Sequence, residues 1–134
     1  MYSSILYVSR SLVRNADRDR AVADIMGVAN ARNPELGLTG ALISTHDHFA
    51  QILEGPSSSI ESMMRSITDD ARHRDVHVLS RGVVPARQFP RWTLAYSGPA
   101  TYFERQISKL YVEDGNAEPE DVERLIDLMV RMQS

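Results

Sequence analysis

Segments 3–9 and 48–54 carry hydrophobic residues on both phases of a two-residue period. The first segment alternates two sets of side chains, with Ile5, Tyr7 and Ser9 on one phase and Leu6 and Val8 on the other. Successive side chains of a strand point to opposite faces of the sheet, so neither segment has a face suited to water. A sheet built from such strands needs a covering layer on both sides.

Strand-like and helix-like segments follow one another in the order βαββαβ, and a further strand and two helices come after them. Runs rich in β-branched and aromatic residues predict strands at 3–9, 38–45, 48–54, 76–84 and 91–96. Apolar residues at helical spacing predict helices at 17–33 and 58–70, and two more that begin near 101 and 119. We therefore predict an α+β fold, a ferredoxin-like βαββαβ sandwich with an added fifth strand. The first two helices cover one sheet face, and the C-terminal helices cover the second.

Local signals predict where the helices begin and end. Pro34 disfavours helical conformation in the residue before it, so the first helix is expected to end near Asn33. Two pairs have the spacing of a capping box and predict the starts of the second and third helices: Ser58 with Glu61, and Thr101 with Glu104. His46 and Asp47 predict a hairpin turn, which explains the His46-Asp47-His48 run without a metal site.

Composition narrows the class of protein. The chain has 134 residues, 43% of them hydrophobic and 25% charged, as expected for one globular domain. The net charge of −3 does not favour a nucleic-acid or anionic-membrane partner. Cysteine is absent, which excludes disulfides and thiolate chemistry. No apolar run approaches the ~20 residues of a membrane span, and the N-terminus lacks a signal peptide's apolar block. We predict a cytoplasmic protein.

Two amide side chains, Asn33 and Gln51, stand in segments that are otherwise suited to burial. Amides both donate and accept hydrogen bonds, so with Tyr7 they could bind the polar edge of a flat heterocycle. The alternative is a core tyrosine with a hydrated hydroxyl, an edge-strand glutamine and a helix-capping asparagine. Spacing alone favours the alternative.

Six segments together resemble the BLUF family of blue-light sensors, which hold FAD without a covalent bond. They are residues 5–10 (ILYVSR), 29–33 (ANARN), 37–42 (GLTGAL), 49–56 (FAQILEGP), 70–76 (DARHRDV) and 89–92 (FPRW). The segments occur in the same order as in the family, and the resemblance extends over roughly residues 3–96. The resemblance implies a flavin-binding core at 1–98, followed at 99–134 by a C-terminal helical extension of the same domain.

The resemblance also implies roles for individual residues. Tyr7 looks like the tyrosine that donates an electron and a proton to the excited flavin. Gln51 looks like the switch residue whose amide rearranges its hydrogen bonds between that tyrosine and the flavin. Asn33 resembles the asparagine that binds the flavin's carbonyl edge. Ile25 and Ile67 match the aliphatic residues on either side of the ring.

Further positions match polar contacts and signal transmission. The polar contacts implied by the resemblance are Arg32, Arg65, Asp70 and His73. Trp92 is either a core anchor or an aromatic residue beside the flavin, and its orientation stays open. The family commonly has methionine where Leu94 stands, so this departure bears on the lifetime of the lit state and on transmission through the fifth strand. Arg87 and Arg91 are interpreted as surface charges.

The sequence thus predicts a non-enzymatic blue-light photoreceptor that signals to a separate partner protein. One alternative is a light-inert BLUF-like interaction module. Another is a small hydrolase on the same sandwich, which is disfavoured because no Ser-His pair or anion-binding loop stands out. No effector segment is expected within the chain. The apolar stripe Leu125, Ile126 and Met129 predicts a homodimer or a higher assembly.

Overall fold

The computed structural model describes residues 1–98, 100–111 and 117–132. Its strands are β1 (Tyr2–Ser11), β2 (Thr39–Ser44), β3 (His48–Gly55), β4 (His73–Val84) and β5 (Trp92–Ser97). Its helices are α1 (Arg18–Leu36), α2 (Ser57–Thr68), α3 (Thr101–Leu110) and α4 (Pro119–Met132), and a short 3-10 turn (Asn15–Asp17) precedes α1. The predicted order of elements is confirmed.

The five strands form one mixed sheet in the spatial order β4-β1-β3-β2-β5. β1 is antiparallel to both β3 and β4, and β2 is antiparallel to β3. β5 joins the other edge in parallel with β2. The first four strands have the order expected of a ferredoxin-like sandwich, and the added fifth strand extends it, so the predicted fold is confirmed. β1 and β3 lie at the centre of the sheet.

Both faces of the sheet are covered, as the alternation in β1 and β3 predicts. On the α1/α2 face, Ile5 and Leu53 pack with Ala29 of α1 and Ile60 of α2. On the opposite α3/α4 face, the cluster consists of Leu6, Val8, Ala41, Ile43, Ala50, Ile52, Phe89, Ile107, Leu110, Val122, Leu125 and Met129. Within the described residues, no helix is both long and apolar enough to cross a bilayer.

Helix α1 continues past Pro34 and ends at Leu36, so the predicted end near Asn33 is wrong. Gly37 follows the helix with φ of 71°, a left-handed conformation that glycine adopts readily. Its N–H bonds the Pro34 carbonyl at 3.2 Å, and the N–H of Leu38 bonds the Asn33 carbonyl at 2.9 Å. These two bonds form a Schellman motif. The glycine terminates the helix, and it outweighs the preference of the residue before proline.

The two predicted capping boxes are also wrong. Pro56 and Ala100 occupy the N-cap positions of α2 and α3, and neither makes a side-chain capping bond within the described residues. The glutamates are engaged elsewhere: Glu61 binds Arg81 at 2.5 Å, and Glu104 binds His48 at 2.5 Å. Contacts to distant strands therefore take the side chains that the local pattern assigns to the helix ends.

Two side chains hold the loop between β4 and β5. The completely buried Glu54 accepts the backbone N–H of Gln88 at 2.9 Å and of Phe89 at 2.8 Å through Oε1. Arg87 donates to the Gly37 carbonyl at 2.8 Å and the Glu54 carbonyl at 3.0 Å. The interpretation of Arg87 as a surface charge is wrong, because its guanidinium joins this loop to β3 and to the end of α1.

Candidate functional site

A cleft of about 710 Å³, counted to its open mouth, lies between α1 and α2 above the centre of the sheet. Tyr7 from β1, together with Phe49 and Gln51 from β3, lines its floor. These residues reach the same face because they share one phase of two paired strands, in which Tyr7 stands opposite Gln51.

Tyr7 and Gln51 are joined by a short hydrogen bond. The Tyr7 hydroxyl donates to Gln51 Oε1 at 2.5 Å, and both side chains are buried. With its oxygen turned toward Tyr7, the Gln51 amide keeps its two N–H donors for other partners. The bond joins residues 44 positions apart in the chain.

Burial raises the pKa of Tyr7 well above its ordinary value, and the negative charge of Asp70 adds to the shift. Desolvation disfavours the phenolate more than the neutral phenol, and a nearby anion does the same. Tyr7 is therefore a neutral hydroxyl throughout the physiological pH range. It is available as a hydrogen-bond donor and holds a proton at the floor of the cleft.

Asp70 and Arg72 form a forked ion pair at one side of the cleft, just after α2. Arg72 Nε donates to Asp70 Oδ1 at 2.9 Å, and its terminal nitrogen donates to Oδ2 at 2.5 Å. This paired bonding lowers the pKa of Asp70, so its carboxylate is ionised. Arg72 was not among the predicted site residues.

His73 lines the cleft and is held on both ring nitrogens. Its Nε2 lies 2.5 Å from the Ile67 carbonyl oxygen, which can only accept, so Nε2 carries the hydrogen. Its Nδ1 is hydrogen-bonded to the Ser9 hydroxyl at 2.7 Å. Ser9 is completely buried and does not line the cleft, so this Ser-His pair orients the histidine and gives no support to a hydrolase. The sequence carried no signal for it, since the residues lie 64 positions apart.

The predicted aliphatic residues lie on opposite walls of the cleft, Ile25 on α1 and Ile67 on α2. Arg32 lies about two turns after Ile25 on the same side of α1. It lines the mouth of the cleft and is exposed. The cleft thus has apolar walls, a polar floor and charged groups at its edge. This combination suits a flat aromatic ring that carries a polar side.

Trp92, at the start of β5, also lines the cleft and is 9% exposed, so the structure turns its ring toward this site. Leu94, two residues later, is half-buried and packs against the α1/α2 core without lining the cleft. The orientation that the sequence left open is therefore the one beside the cleft. The position commonly occupied by methionine in the family lies outside it.

Two further predicted site residues do not line the cleft. Asn33 is buried at the C-terminal end of α1, and its Oδ1 has no hydrogen-bond partner among the described residues. Arg65 is exposed on α2. The His46-Asp47-His48 run contributes to no cluster of three metal-ligating side chains in the described part of the chain.

The sandwich fold and the phenol–carboxamide pair beneath a cleft are features of a small ligand-binding domain. Residues 2–95 match the family model described as "Sensors of blue-light using FAD", and the chain belongs to this BLUF family. The family uses FAD, so FAD is the cofactor of this domain.

Several curated proteins share the domain. The blue light- and temperature-regulated antirepressor BluF of Escherichia coli (strain K12) is 33% identical over 89 residues, which is 66% of this chain. Photoactivated adenylate cyclase subunit beta of Euglena longa is 31% identical over 93 residues, or 69% of this chain. The matched segments span 22% and 11% of those two proteins, respectively.

Solved structures resemble the whole described fold. The dark-state structure of BlrB, a BLUF protein, has a TM-score of 0.78 and 30% identity, and the match covers 98% of this chain and 97% of that one. The photo-activated state of BlsA also has a TM-score of 0.78, with coverage of 97% and 95%. Its identity of 22% shows the shared fold alone.

The residues present fit FAD. Trp92, which lines the cleft, has its Nε1 buried without a hydrogen-bond partner among the described residues. A buried polar atom left unpaired costs about 1–3 kcal/mol, so the surroundings of the cleft favour a ligand that offers polar atoms. The apolar walls, Ile25 and Ile67, suit the flat face of the isoalloxazine ring.

Proposed function

We propose that this chain is a blue-light photoreceptor whose switch is the Tyr7–Gln51 hydrogen bond. The observation that supports it most directly is the 2.5 Å bond between these two buried side chains at the floor of the cleft. FAD, when bound, supplies the absorption of blue light and an excited-state acceptor for an electron and a proton. Tyr7, a neutral phenol held inside the cleft, is the donor.

The Tyr7–Gln51 pair can exist in two hydrogen-bonded arrangements. In the described one, the phenol donates to Gln51 Oε1. Rotation of the amide by half a turn places Nε2 opposite the phenol oxygen, which then accepts. Because both residues are buried, each arrangement is held by the cost of leaving polar atoms unpaired, about 1–3 kcal/mol per group. Loss of the tyrosine's proton, even briefly, removes the donor of the first arrangement and favours the second.

The other site residues hold the cofactor. Ile25 and Ile67 would contact the two faces of the ring. Asn33, whose Oδ1 is buried without a hydrogen-bond partner among the described residues, would bind its polar edge by turning toward the cleft. His73, whose ring nitrogens bond Ser9 and Ile67, would pack beside that edge. Arg32 and Asp70, which line the cleft, and the exposed Arg65 on α2 would bind the outer parts of the ring and the ribityl side. Trp92 and Leu94 carry the change into β5.

The output is a change in protein conformation that a separate partner protein recognises, without a reaction catalysed by this domain. The kinship with light-regulated proteins of different outputs, an antirepressor and a cyclase, supports a sensory module that works through other partners. A cytoplasmic location and a homodimer or higher assembly stay predictions from the sequence.

The test is an absorption spectrum of the FAD-loaded protein before and after a blue flash. We expect the flavin band to shift to the red and to recover in darkness. Gln51→Ala should abolish the shift while FAD stays bound, because the amide that rearranges is gone. Gln106→Ala is the matched control, since Gln106 lies on α3, away from the cleft.

Two results would contradict the proposal. A normal red shift in the Gln51→Ala variant would exclude Gln51 as the switch. A protein that binds FAD but shows no shift in its unmodified form, or that cannot be loaded with FAD, would instead support the light-inert interaction module.

A further inference from the structure

A polar and aromatic cluster lies on the α3/α4 face, where β1, β3 and β4 contact α3 and the residue directly after it. We name it the α3 anchor; it consists of Arg10, His48, His77, Glu104 and Tyr111. His48 Nδ1 lies 2.5 Å from Glu104 Oε1, and the two side chains are only 11% and 20% exposed. The N–H of His48 therefore donates to a carboxylate in surroundings largely shielded from water.

Tyr111, directly after α3, completes the anchor. Its ring stacks on His77 of β4 with centroids 4.4 Å apart, and the Arg10 guanidinium lies 4.9 Å from the same ring. The Tyr111 hydroxyl donates to the Asp75 carbonyl at 2.6 Å. Asp75 has φ of 54° and lies in an irregular step of the pairing of β1 with β4, between the pairs Val8–His77 and Arg10–Arg74. Helix α3 is thus bound to β3 through Glu104 in its first turn, and to β1 and β4 through Tyr111 directly after its last residue.

The anchor shares its strands with the proposed switch. Tyr7 pairs with Gln51 across β1 and β3, and Arg10 pairs with His48 in the same ladder. The two pairs are three steps apart, about 10 Å at 3.4 Å per residue. Three is an odd number, so the second pair faces the opposite side of the sheet. The same two strands therefore present the switch to the cleft and the anchor to α3.

From this juxtaposition we infer that the His48–Glu104 bond transmits the light signal from β3 to α3. The inference rests on the proposed function, because it needs the Tyr7–Gln51 switch to act. Any shift of β3 against β1 that accompanies rearrangement of Gln51 also moves His48. The bond then carries this movement to Glu104 and to the helix. The signal would pass to α3 from β3, which lies at the centre of the sheet. Transmission through Leu94 would instead start from β5, at the edge of the sheet.

The bond is suited to transmission because neither partner can exchange it cheaply for water. Glu104 Oε2 is buried without a hydrogen-bond partner among the described residues, so its carboxylate depends on the Oε1 contact. Glu61 offers a comparison on the other face of the sheet. It pairs with Arg81 at the same 2.5 Å, but both side chains are more than half exposed, where such pairs contribute about 0–1 kcal/mol.

The experiment measures amide hydrogen exchange of α3 in the FAD-loaded full chain, in darkness and under blue light, with an absorption spectrum of each sample. In the unmodified protein we expect light to change exchange in α3. Glu104→Ala should reduce this light-minus-dark difference by more than half while the red shift is retained. Glu61→Ala, the matched control, should leave the difference intact.

Two further variants separate transmission from simple loosening of the helix. Glu104→Gln keeps an acceptor oxygen for His48 and should retain the difference. His48→Leu breaks the same bond from the strand side and should lose it, which also covers the case in which Glu104→Ala does not fold.

The inference is overturned if Glu104→Ala retains the full difference, if Glu61→Ala loses as much, or if α3 of the unmodified protein does not respond to light although the red shift occurs. Absence of the red shift in the unmodified protein overturns the proposed function and this inference with it.

Discussion

The buried Glu54 carboxylate should make folding stability fall as the pH rises. Its Oε1 accepts two backbone N–H groups, and its Oε2 is buried without a hydrogen-bond partner among the described residues. Burial raises the pKa of Glu54 above its ordinary 4.5, against the opposing effects of the Phe89 and Gln88 N–H groups and the Arg87 charge. The folded state therefore holds this proton to a higher pH than the unfolded state does.

The sign follows from proton linkage. Where the folded state binds more protons than the unfolded state, the free energy of unfolding falls as pH rises. The contribution of Glu54 is complete below pH 4.5, its ordinary value, and is lost as pH rises through the raised pKa. Each unit of pKa difference corresponds to about 1.4 kcal/mol.

Glu54→Gln cannot titrate, but it places amide donors where Oε2 lies, at a cost of about 1–3 kcal/mol. We expect it to be less stable than the unmodified protein near pH 4.5, and the deficit to shrink as pH rises. Glu54→Ala removes the acceptor of two N–H groups and should cost about 2–6 kcal/mol. That is a large part of the roughly 5–15 kcal/mol that holds a domain folded.

Urea unfolding of both variants and the unmodified protein, at several pH values between about 4.5 and 8, measures these differences. When a variant is compared with the unmodified protein at the same pH, the contributions of all other titrating groups to the free energy of unfolding cancel. Glu61→Gln is the control, because it makes the same substitution at a carboxylate that is more than half exposed. A deficit of Glu54→Gln that grows with pH would refute the reasoning, since it would mean that Arg87 and the two N–H groups stabilise the carboxylate more than burial penalises it.

Two other substitutions test the packing around the site. Gly40→Ala should abolish or strongly weaken folding, because a Cβ there would lie 1.9 Å from the Ile52 carbonyl oxygen. Gly82→Ala, whose Cβ would meet nothing within 4 Å, is the control, and equal thermal melting curves for the two variants would contradict this account. Ser9→Ala should lower the free energy of unfolding in urea by about 1–3 kcal/mol, because it leaves the buried His73 Nδ1 without its hydrogen-bond partner. The exposed Ser58→Ala serves for comparison, and a Ser9→Ala loss no larger than that of Ser58→Ala would show that His73 does not need this bond.

The hydrophobic residues on both phases of β1 and β3 predict the fold well, because a strand buried on two faces needs apolar side chains at both sets of alternate positions. Leu6 and Ile5 reach opposite cores as their positions require. Helix ends are less predictable, because local signals compete there. The glycine at 37 outweighs Pro34, and Glu104 turns to a histidine 56 positions away in preference to its own helix.

The residues of the site likewise fall into those that the sequence predicted and those that it did not. The family resemblance predicted Tyr7 and Gln51, and the structure brings them into contact. Asn33 and Arg65, predicted on the same basis, do not line the cleft. Ser9 was not found, since its partner His73 lies on a distant strand and no periodic or local pattern joins them. Contacts of this kind depend on how the strands are arranged in space, which a single sequence does not display.

The two-sided burial of β1 has a consequence for how the domain assembles. A slip of β1 by one residue would exchange its faces, which would place Leu6 over the cleft and Tyr7 against α3 and α4. Since both faces are apolar, hydrophobicity alone penalises such a slip only weakly. A cofactor that binds only the correct pairing would stabilise it by mass action. Flavin binding would then favour chains with the correct strand pairing, and chains with a misaligned β1 would remain colourless.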